Sequence, residues 1–135
     1  MLTAPLYKYY KIGGGNMITR DYLRANPDHI FVFGDNLVRK RHGGAAKLRD
    51  EPNVYGFVTK RYPNMKDGSF YRPDEYRAVF KEEMVKLEAE IQSNPGKTYL
   101  ISRVGAGLAN RYHIWEMVIL PQIHKLEKYP NVRFV

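Results

Sequence analysis

Apolar residues recur at helical spacing in one long stretch of the chain, residues 74–93. Successive apolar positions there are four, four, three and four residues apart, so they fall on one face of a helix. These positions are Tyr76, Phe80, Met84, Leu87 and Ile91. The NPG sequence that follows ends the pattern, and this stretch is the clearest helix that the sequence predicts.

Short continuous runs of β-branched and aromatic residues predict buried strands. The four predicted strands are 29–34, 54–59, 98–102 and 132–135. Three further helices are predicted at 19–27, with Thr19 as N-cap, at 43–50, and at 113–126, where Pro121 disturbs the helix. Strands that alternate with helices predict an α/β domain with a largely parallel sheet.

Length and composition predict a single domain over residues 1–135, with 1–16 as an N-terminal arm or edge strand. The longest apolar runs, near 30–33 and 117–121, are too short to cross a bilayer, and no secretory signal pattern opens the chain. The sequence contains no cysteine. We therefore expect a cytoplasmic protein with no membrane partner.

The net charge of +8 and the pI of about 9.7 fit an anionic partner, although a solvated basic surface would give the same values. Basic residues gather at 39–41, 47–49, 60–61 and 72–77, which flank the glycine-rich segments. Acidic residues lie mostly at 81–90. No motif with metal-ligand spacing is present, so neither a metal nor another cofactor is expected.

Two glycine-bearing segments, 31–50 and 102–109, each follow a predicted strand. In parallel sheets ligands bind beyond the carboxyl ends of the strands, and glycine lets the backbone approach a phosphate closely. Glycines also serve simply to make turns, and neither segment is a Walker loop or a GxGxxG fingerprint. Two such loops at one edge nevertheless predict a nucleotide cleft.

The succession GDNLVRKRHGGAAKLRD, YGFVTKR and ISRVGAGLANRYHIWEMVILPQI resembles the order of segments in macrodomain-like proteins, which bind ADP-ribose. The resemblance covers about residues 29–135. It implies a three-layer α/β/α domain with a mixed, largely parallel sheet. The most similar branch includes hydrolases that remove ADP-ribose from glutamate side chains and antitoxins that remove it from DNA. The chain also resembles small phage-encoded proteins of this type.

The resemblance implies a role for each matching position. Lys60 matches the lysine that attacks the anomeric carbon of the ribose. By its own chemistry, Asp35 is a candidate general base or partner of the adenine amino group, and His42 is a candidate phosphate donor or proton shuttle. The implied ligand-binding residues are Phe33, Gly34, Asp35, Asn36, Gly43, Gly44, Ala45, Arg103, Val104, Gly105, Ala106, Gly107 and Leu108. Ala109 stands where that branch carries an aspartate, a change that binding tolerates better than hydrolysis does.

Each of these residues also has a simpler interpretation. Lys60 can pair with phosphate or be an ordinary surface lysine, Asp35 can cap the turn before Asn36, and His42 can be a solvated loop residue. Val at position 105 or 107 is expected to abolish nucleotide binding and leave the fold intact.

The sequence thus predicts a protein that binds ADP-ribose or a related NAD-derived nucleotide. Hydrolysis of ADP-ribosyl bonds on protein or DNA remains open at this point. The alternatives are a module that sequesters a nucleotide without catalysis and a basic nucleic-acid-binding protein. The expected setting is the cytoplasm of a bacterial cell or of a phage-infected host.

Overall fold

The computed structural model of the protein describes residues 18–41 and 43–135. The predicted arm at 1–16 and the candidate residue His42 lie outside this part of the chain.

Four strands form one sheet. They are β1 (His29–Asn36), β2 (Val54–Lys60), β3 (Thr98–Ile101) and β4 (Val132–Phe134), arranged in the order β2-β1-β3-β4. Every pair of neighbouring strands is parallel. The α/β class and the four predicted strands are therefore confirmed, whereas the three-layer macrodomain arrangement stays a prediction.

The helices agree with the sequence pattern where that pattern is long. Helix α1 spans Arg20–Ala25 and is capped by the Thr19 hydroxyl, which accepts a hydrogen bond from the Tyr22 amide at 3.0 Å. Helix α2 spans Pro73–Ser93, and all five of its periodic apolar residues are buried. The helix predicted at 43–50 is wrong in type, because only a five-residue 3-10 turn, Gly44–Leu48, forms there.

The segment predicted as a disturbed helix at 113–126 changes type along its length. A π-helical turn, Trp115–Ile119, leads into α3 (Leu120–Ile123), which is followed by the 3-10 turn His124–Lys128. The amide of Leu120 donates to the carbonyl five residues earlier, at Trp115. Pro121 has no amide hydrogen with which to continue a regular ladder, so the predicted disturbance is confirmed.

Buried apolar residues form two clusters that share the sheet. Ile30 and Val32 belong to the cluster built with α2 and the 115–126 segment. Phe31 and Phe33 belong to the other, with Leu23 of α1 among its members. Alternate strand residues point to opposite faces, so each face of β1 has its own core. Trp115 is partly buried and packs against the first cluster.

Strand β2 lies at one end of the strand order, and side chains of α2 bond its outer backbone groups. The Val58 amide donates to Glu83 Oε1 at 2.7 Å, and the Tyr76 hydroxyl donates to the Val58 carbonyl at 2.5 Å. Both side chains are buried. At Val58, side chains of helix α2 therefore make the hydrogen bonds that a neighbouring strand would otherwise make with the backbone of β2.

In the described part of the chain, no helix has both the length and the apolar content that crossing a membrane requires.

Candidate functional site

The carboxyl ends of β1, β2 and β3 border a cavity of about 320 Å³. Both glycine-bearing segments contribute to its wall, as their positions after β1 and β3 predicted. The predicted site residues that line it are Gly34, Asp35, Asn36, Gly43, Gly44, Lys60, Arg103, Val104, Gly105, Gly107 and Leu108. A volume of this size lies at the lower end of the range for small-molecule sites.

Two predicted ligand-binding residues, Phe33 and Ala106, are not among the residues that line the cavity. Phe33 is buried and its ring stacks on Phe31 with 6.3 Å between centroids, so the expectation that it touches a ligand is not supported. Ala106 lies on the 103–108 turn, where its amide bonds the Arg103 carbonyl, and it is not a lining residue. Ala45 lies in the 3-10 turn after Gly44, and His42 is outside the described residues.

Gly105 has a structural requirement that the sequence did not reveal. Its φ of +83° lies in the left-handed region, and a Cβ there would come within 2.5 Å of the Ile119 side chain. Gly107 has no atom within 4 Å of the position that a Cβ would take. The expectation that Val at either position leaves the fold intact is therefore wrong for Gly105, and only Gly107 gives a clean test of the cavity.

Asp35 is held by two guanidinium groups. Its side chain is only 2% exposed, and Arg49 donates to both of its oxygens, at 3.0 and 2.5 Å. Arg39 donates a further bond at 3.1 Å. The Asn36 amide donates to Asp35 Oδ1 at 2.8 Å, which is the turn-capping contact considered from the sequence. These bonds occupy the carboxylate and favour the structural interpretation of Asp35 over proton transfer.

Arg49 is a residue of the site that the sequence did not single out. Besides its bonds to Asp35, it donates to the carbonyls of Lys40 and Arg41, at 3.2 and 3.0 Å. Arg39 and Arg41 both have positive φ, 55° and 80°, which is uncommon for residues other than glycine. Arg49 thus bonds an unusual backbone loop to the end of β1. The sequence did hold one indication of such a partner. Asp35 is an acidic residue near the end of a buried strand, and a buried carboxylate is stable only when it is paired.

Lys60, at the end of β2, reaches the rim of the cavity. Its ammonium group donates to the Asn64 carbonyl at 2.8 Å and lies 4.5 Å from the centre of the Phe70 ring. Burial lowers the pKa of Lys60 below its usual range, and the positive charge of Arg111 lowers it further. A lowered pKa increases the share of neutral amine, which is the form of lysine that can act as a nucleophile.

The charge lining the cavity is predominantly positive. Lys40, Arg41, Lys60 and Arg103 all contribute to the described wall, and the acidic group there, Asp35, is bonded to two arginines. Within the described residues, the amides of Gly105 and Gly107 have no hydrogen-bond acceptor. Such a wall suits an anionic ligand that can accept bonds from backbone amides.

Among the residues that the structure describes, no group of three or more metal-binding side chains comes together.

The model of a family of unknown function, DUF7831, matches residues 15–110, which include β1, β2, β3 and all of the described residues that line the cavity. No match is found among curated proteins or among solved structures.

Proposed function

The chain belongs to the family of unknown function DUF7831, and from its cavity we propose that it binds ADP-ribose or a related NAD-derived nucleotide. The observation that carries this proposal is the cationic wall formed at the carboxyl ends of three parallel strands. Lys40, Arg41 and Arg103 supply positive charge, and the turn at Gly105 and Gly107 supplies backbone amides. A diphosphate is a ligand that uses both features.

The cavity wall by itself supports a diphosphate, and the resemblance to macrodomain-like proteins is the basis for proposing the whole nucleotide, ADP-ribose. The resemblance implies that FGDN and HGGAA form the first wall of the cleft and that Lys60 of VTK meets the anomeric carbon of the ribose. It implies that VGAGL wraps the diphosphate and the distal ribose, and residues of all four segments border the cavity. The proposal therefore joins a general argument for an anion with a resemblance that names the nucleotide. A cytoplasmic setting, in a bacterial cell or a phage-infected host, belongs to the same proposal.

Calorimetry with ADP-ribose, ADP, NAD and a short DNA duplex, each at low and high salt, tests the proposal. We expect ADP-ribose to bind most tightly, with an affinity that changes little with salt. Nucleic acid that bound more tightly, with a steep fall in affinity as salt rises, would favour a basic nucleic-acid-binding protein instead. Absence of binding by all of the nucleotides would refute a nucleotide site.

A second candidate, hydrolysis of an ADP-ribosyl ester, is favoured by the position of Lys60 beside the cavity and by its lowered pKa. In this reaction the neutral amine attacks the anomeric carbon, the bond to the ester oxygen breaks, and the carboxylate leaves. The attacking nitrogen loses a proton to solvent, the sugar ring opens to form an imine with the lysine, and water hydrolyses this imine to ADP-ribose and the free lysine amine. Ala109 offers no carboxylate and Asp35 is already bonded to arginines, so we expect slow turnover, because proton transfer typically contributes about 10²–10⁴ in rate.

Reductive trapping distinguishes hydrolysis from binding alone. If hydrolysis occurs, borohydride treatment during turnover of an ADP-ribosylated glutamate peptide should leave a sugar adduct on Lys60. The Lys60→Ala variant should give neither adduct nor turnover. Full turnover by Lys60→Ala would exclude the lysine mechanism. ADP-ribose binding without turnover in the wild-type protein would leave nucleotide sequestration as the function.

A further inference from the structure

Two cationic side chains lie against the ring of Phe70. The Arg111 guanidinium carbon lies 3.9 Å from the ring centre, and Lys60 Nζ lies 4.5 Å from it. Phe70 is itself 2% exposed and is joined to Lys60 by an isolated antiparallel bridge. The ring is therefore a fixed platform, and cations on an aromatic face are attracted to it over distances of this size.

Other groups near this platform already have partners of their own. Asp67 lies 3.8 Å from Arg111 and 4.0 Å from Arg72, and it accepts a hydrogen bond from the Tyr112 hydroxyl. Glu75 pairs with Arg61 at 2.6 Å. Around the Lys60 ammonium are the Asn64 carbonyl and the Met65 sulfur, both uncharged acceptors. Arg111, which itself pairs with Asp67, is the cation that shares the Phe70 ring with Lys60.

We propose that Arg111 is a positioning residue for Lys60, because the two cations share the Phe70 ring and the charge of the guanidinium makes the lysine amine at the cavity rim more reactive. Two positive charges on one ring favour loss of a proton by the more acidic of the two groups, which is the lysine ammonium, because arginine keeps its charge. The direction agrees with the lowered pKa of Lys60, for which burial is the larger cause and Arg111 the second.

This inference rests on the proposed function, because a reactive amine matters only if the cavity beside it holds the ligand. The loop that carries Arg111 also forms the wall at Gly105 and Gly107. Arg111 therefore connects the loop after β3 with the reactive group at the end of β2. Lys60 and Arg111 are far apart in the sequence, so only the folded chain brings their side chains to the same ring.

Competitive acetylation with a trace of acetic anhydride, read by mass spectrometry of the Lys60 peptide across a range of pH, tests the proposal without any ligand. In Arg111→Gln we expect the midpoint of the Lys60 profile to move to higher pH and the rate near pH 8 to fall about two- to threefold. Arg111→Lys should keep the midpoint near that of the wild type. Raising the salt concentration should reduce the difference between wild type and Arg111→Gln.

Arg72→Gln is the matched control, because Arg72 lies 4.1 Å from the centre of the neighbouring Tyr112 ring and its loss removes the same charge. It should leave the Lys60 midpoint unchanged. An unchanged midpoint in Arg111→Gln, or an equal shift in Arg72→Gln, would overturn the proposal. A separate measurement, protection of Lys60 from acetylation by ADP-ribose, tests the proposed function, so failure of one inference is distinguishable from failure of the other.

Discussion

Arg49 Nη1 and Nη2 donate hydrogen bonds to the two carboxylate oxygens of Asp35, at 3.0 and 2.5 Å, across 14 residues of sequence. The arginine side chain is 15% exposed and the aspartate side chain 2% exposed. The pair therefore lies mostly out of water, and each partner needs the other. Through the same guanidinium, the Lys40 and Arg41 carbonyls are held beside the cavity.

Replacing Arg49 by methionine should lower the free energy of unfolding by about 3 kcal/mol, since it leaves the buried Asp35 carboxylate without its main partner. Urea denaturation measures this loss. Arg39→Met is the control, because the Arg39 side chain is 47% exposed and its pair with Asp35 should contribute less than about 1 kcal/mol. Equal losses in the two variants would contradict the ranking.

The two glycines of the 103–108 turn should respond differently to alanine. Gly105→Ala puts a methyl group against Ile119 at a positive φ, so we expect a loss of about 2–4 kcal/mol in the free energy of unfolding. Gly107→Ala should change stability by less than about 0.5 kcal/mol, because open space surrounds that position. Thermal unfolding distinguishes them, and an unstable Gly107→Ala would show that this turn is packed differently.

The larger variant Gly107→Val tests the cavity itself. Its side chain would occupy space that we assign to the diphosphate, so ADP-ribose affinity should fall at least tenfold while the melting temperature stays near that of the wild type. Calorimetry and thermal unfolding on the same sample give both values. Wild-type affinity in a folded Gly107→Val protein would remove this turn from the ligand site.

ADP-ribose affinity should depend on pH through Lys60. An anion is attracted by the protonated amine, and the lowered pKa of Lys60 means that this proton is lost at a lower pH than in an ordinary lysine. We therefore expect the Kd to rise as the pH is raised through that lowered pKa. Lys60→Gln should weaken binding near neutrality by about 1–3 kcal/mol and abolish the rise.

Lys60→Arg is the matched control for the pH dependence, because a guanidinium keeps its charge over the whole range. It should bind ADP-ribose with nearly constant affinity in calorimetry from about pH 7 to 10. A rise in Kd that persists in Lys60→Arg would assign the titration to another group.

Replacing Glu83 should lower the stability of the protein, whereas replacing the neighbouring Glu82 should not. Glu83→Leu removes the acceptor of the buried Val58 amide and should cost about 1–3 kcal/mol in the free energy of unfolding. Glu83→Gln keeps an acceptor and should cost less. Glu82→Leu, at a side chain that is 69% exposed, should leave urea denaturation nearly unchanged. A large loss in Glu82→Leu would show that helix α2 is sensitive to leucine in general.

Elements defined by a long local pattern could be predicted from the sequence. Helix α2 is the best case, because five residues at regular spacing all require the same buried face. The cavity wall was also predictable in outline, since a loop that follows a parallel strand must emerge at the carboxyl edge. The convergence of Gly34, Lys60 and Gly105 on one cavity follows from that rule.

Features that depend on contacts distant in sequence could not be predicted. Nothing local separates Arg49 from the other basic residues, and its importance arises only when the chain brings it to Asp35. The helix expected at 43–50 failed for a related reason: the segment is short, begins at a glycine with φ +59°, and ends in a residue bonded to the preceding loop. Tertiary contacts outweigh weak local preference in such segments.

The bonds that Glu83 and Tyr76 make to Val58 have a consequence for how separate molecules meet. A chain that added a strand alongside β2 would need the Val58 amide and carbonyl, and both are already bonded to helix α2. Beyond Val58, Phe70 bridges Lys60 of the same strand, so helix α2 and the segment at Phe70 together protect this edge from pairing with another chain. Variants that loosen α2 should aggregate through this edge while the rest of the sheet is still folded.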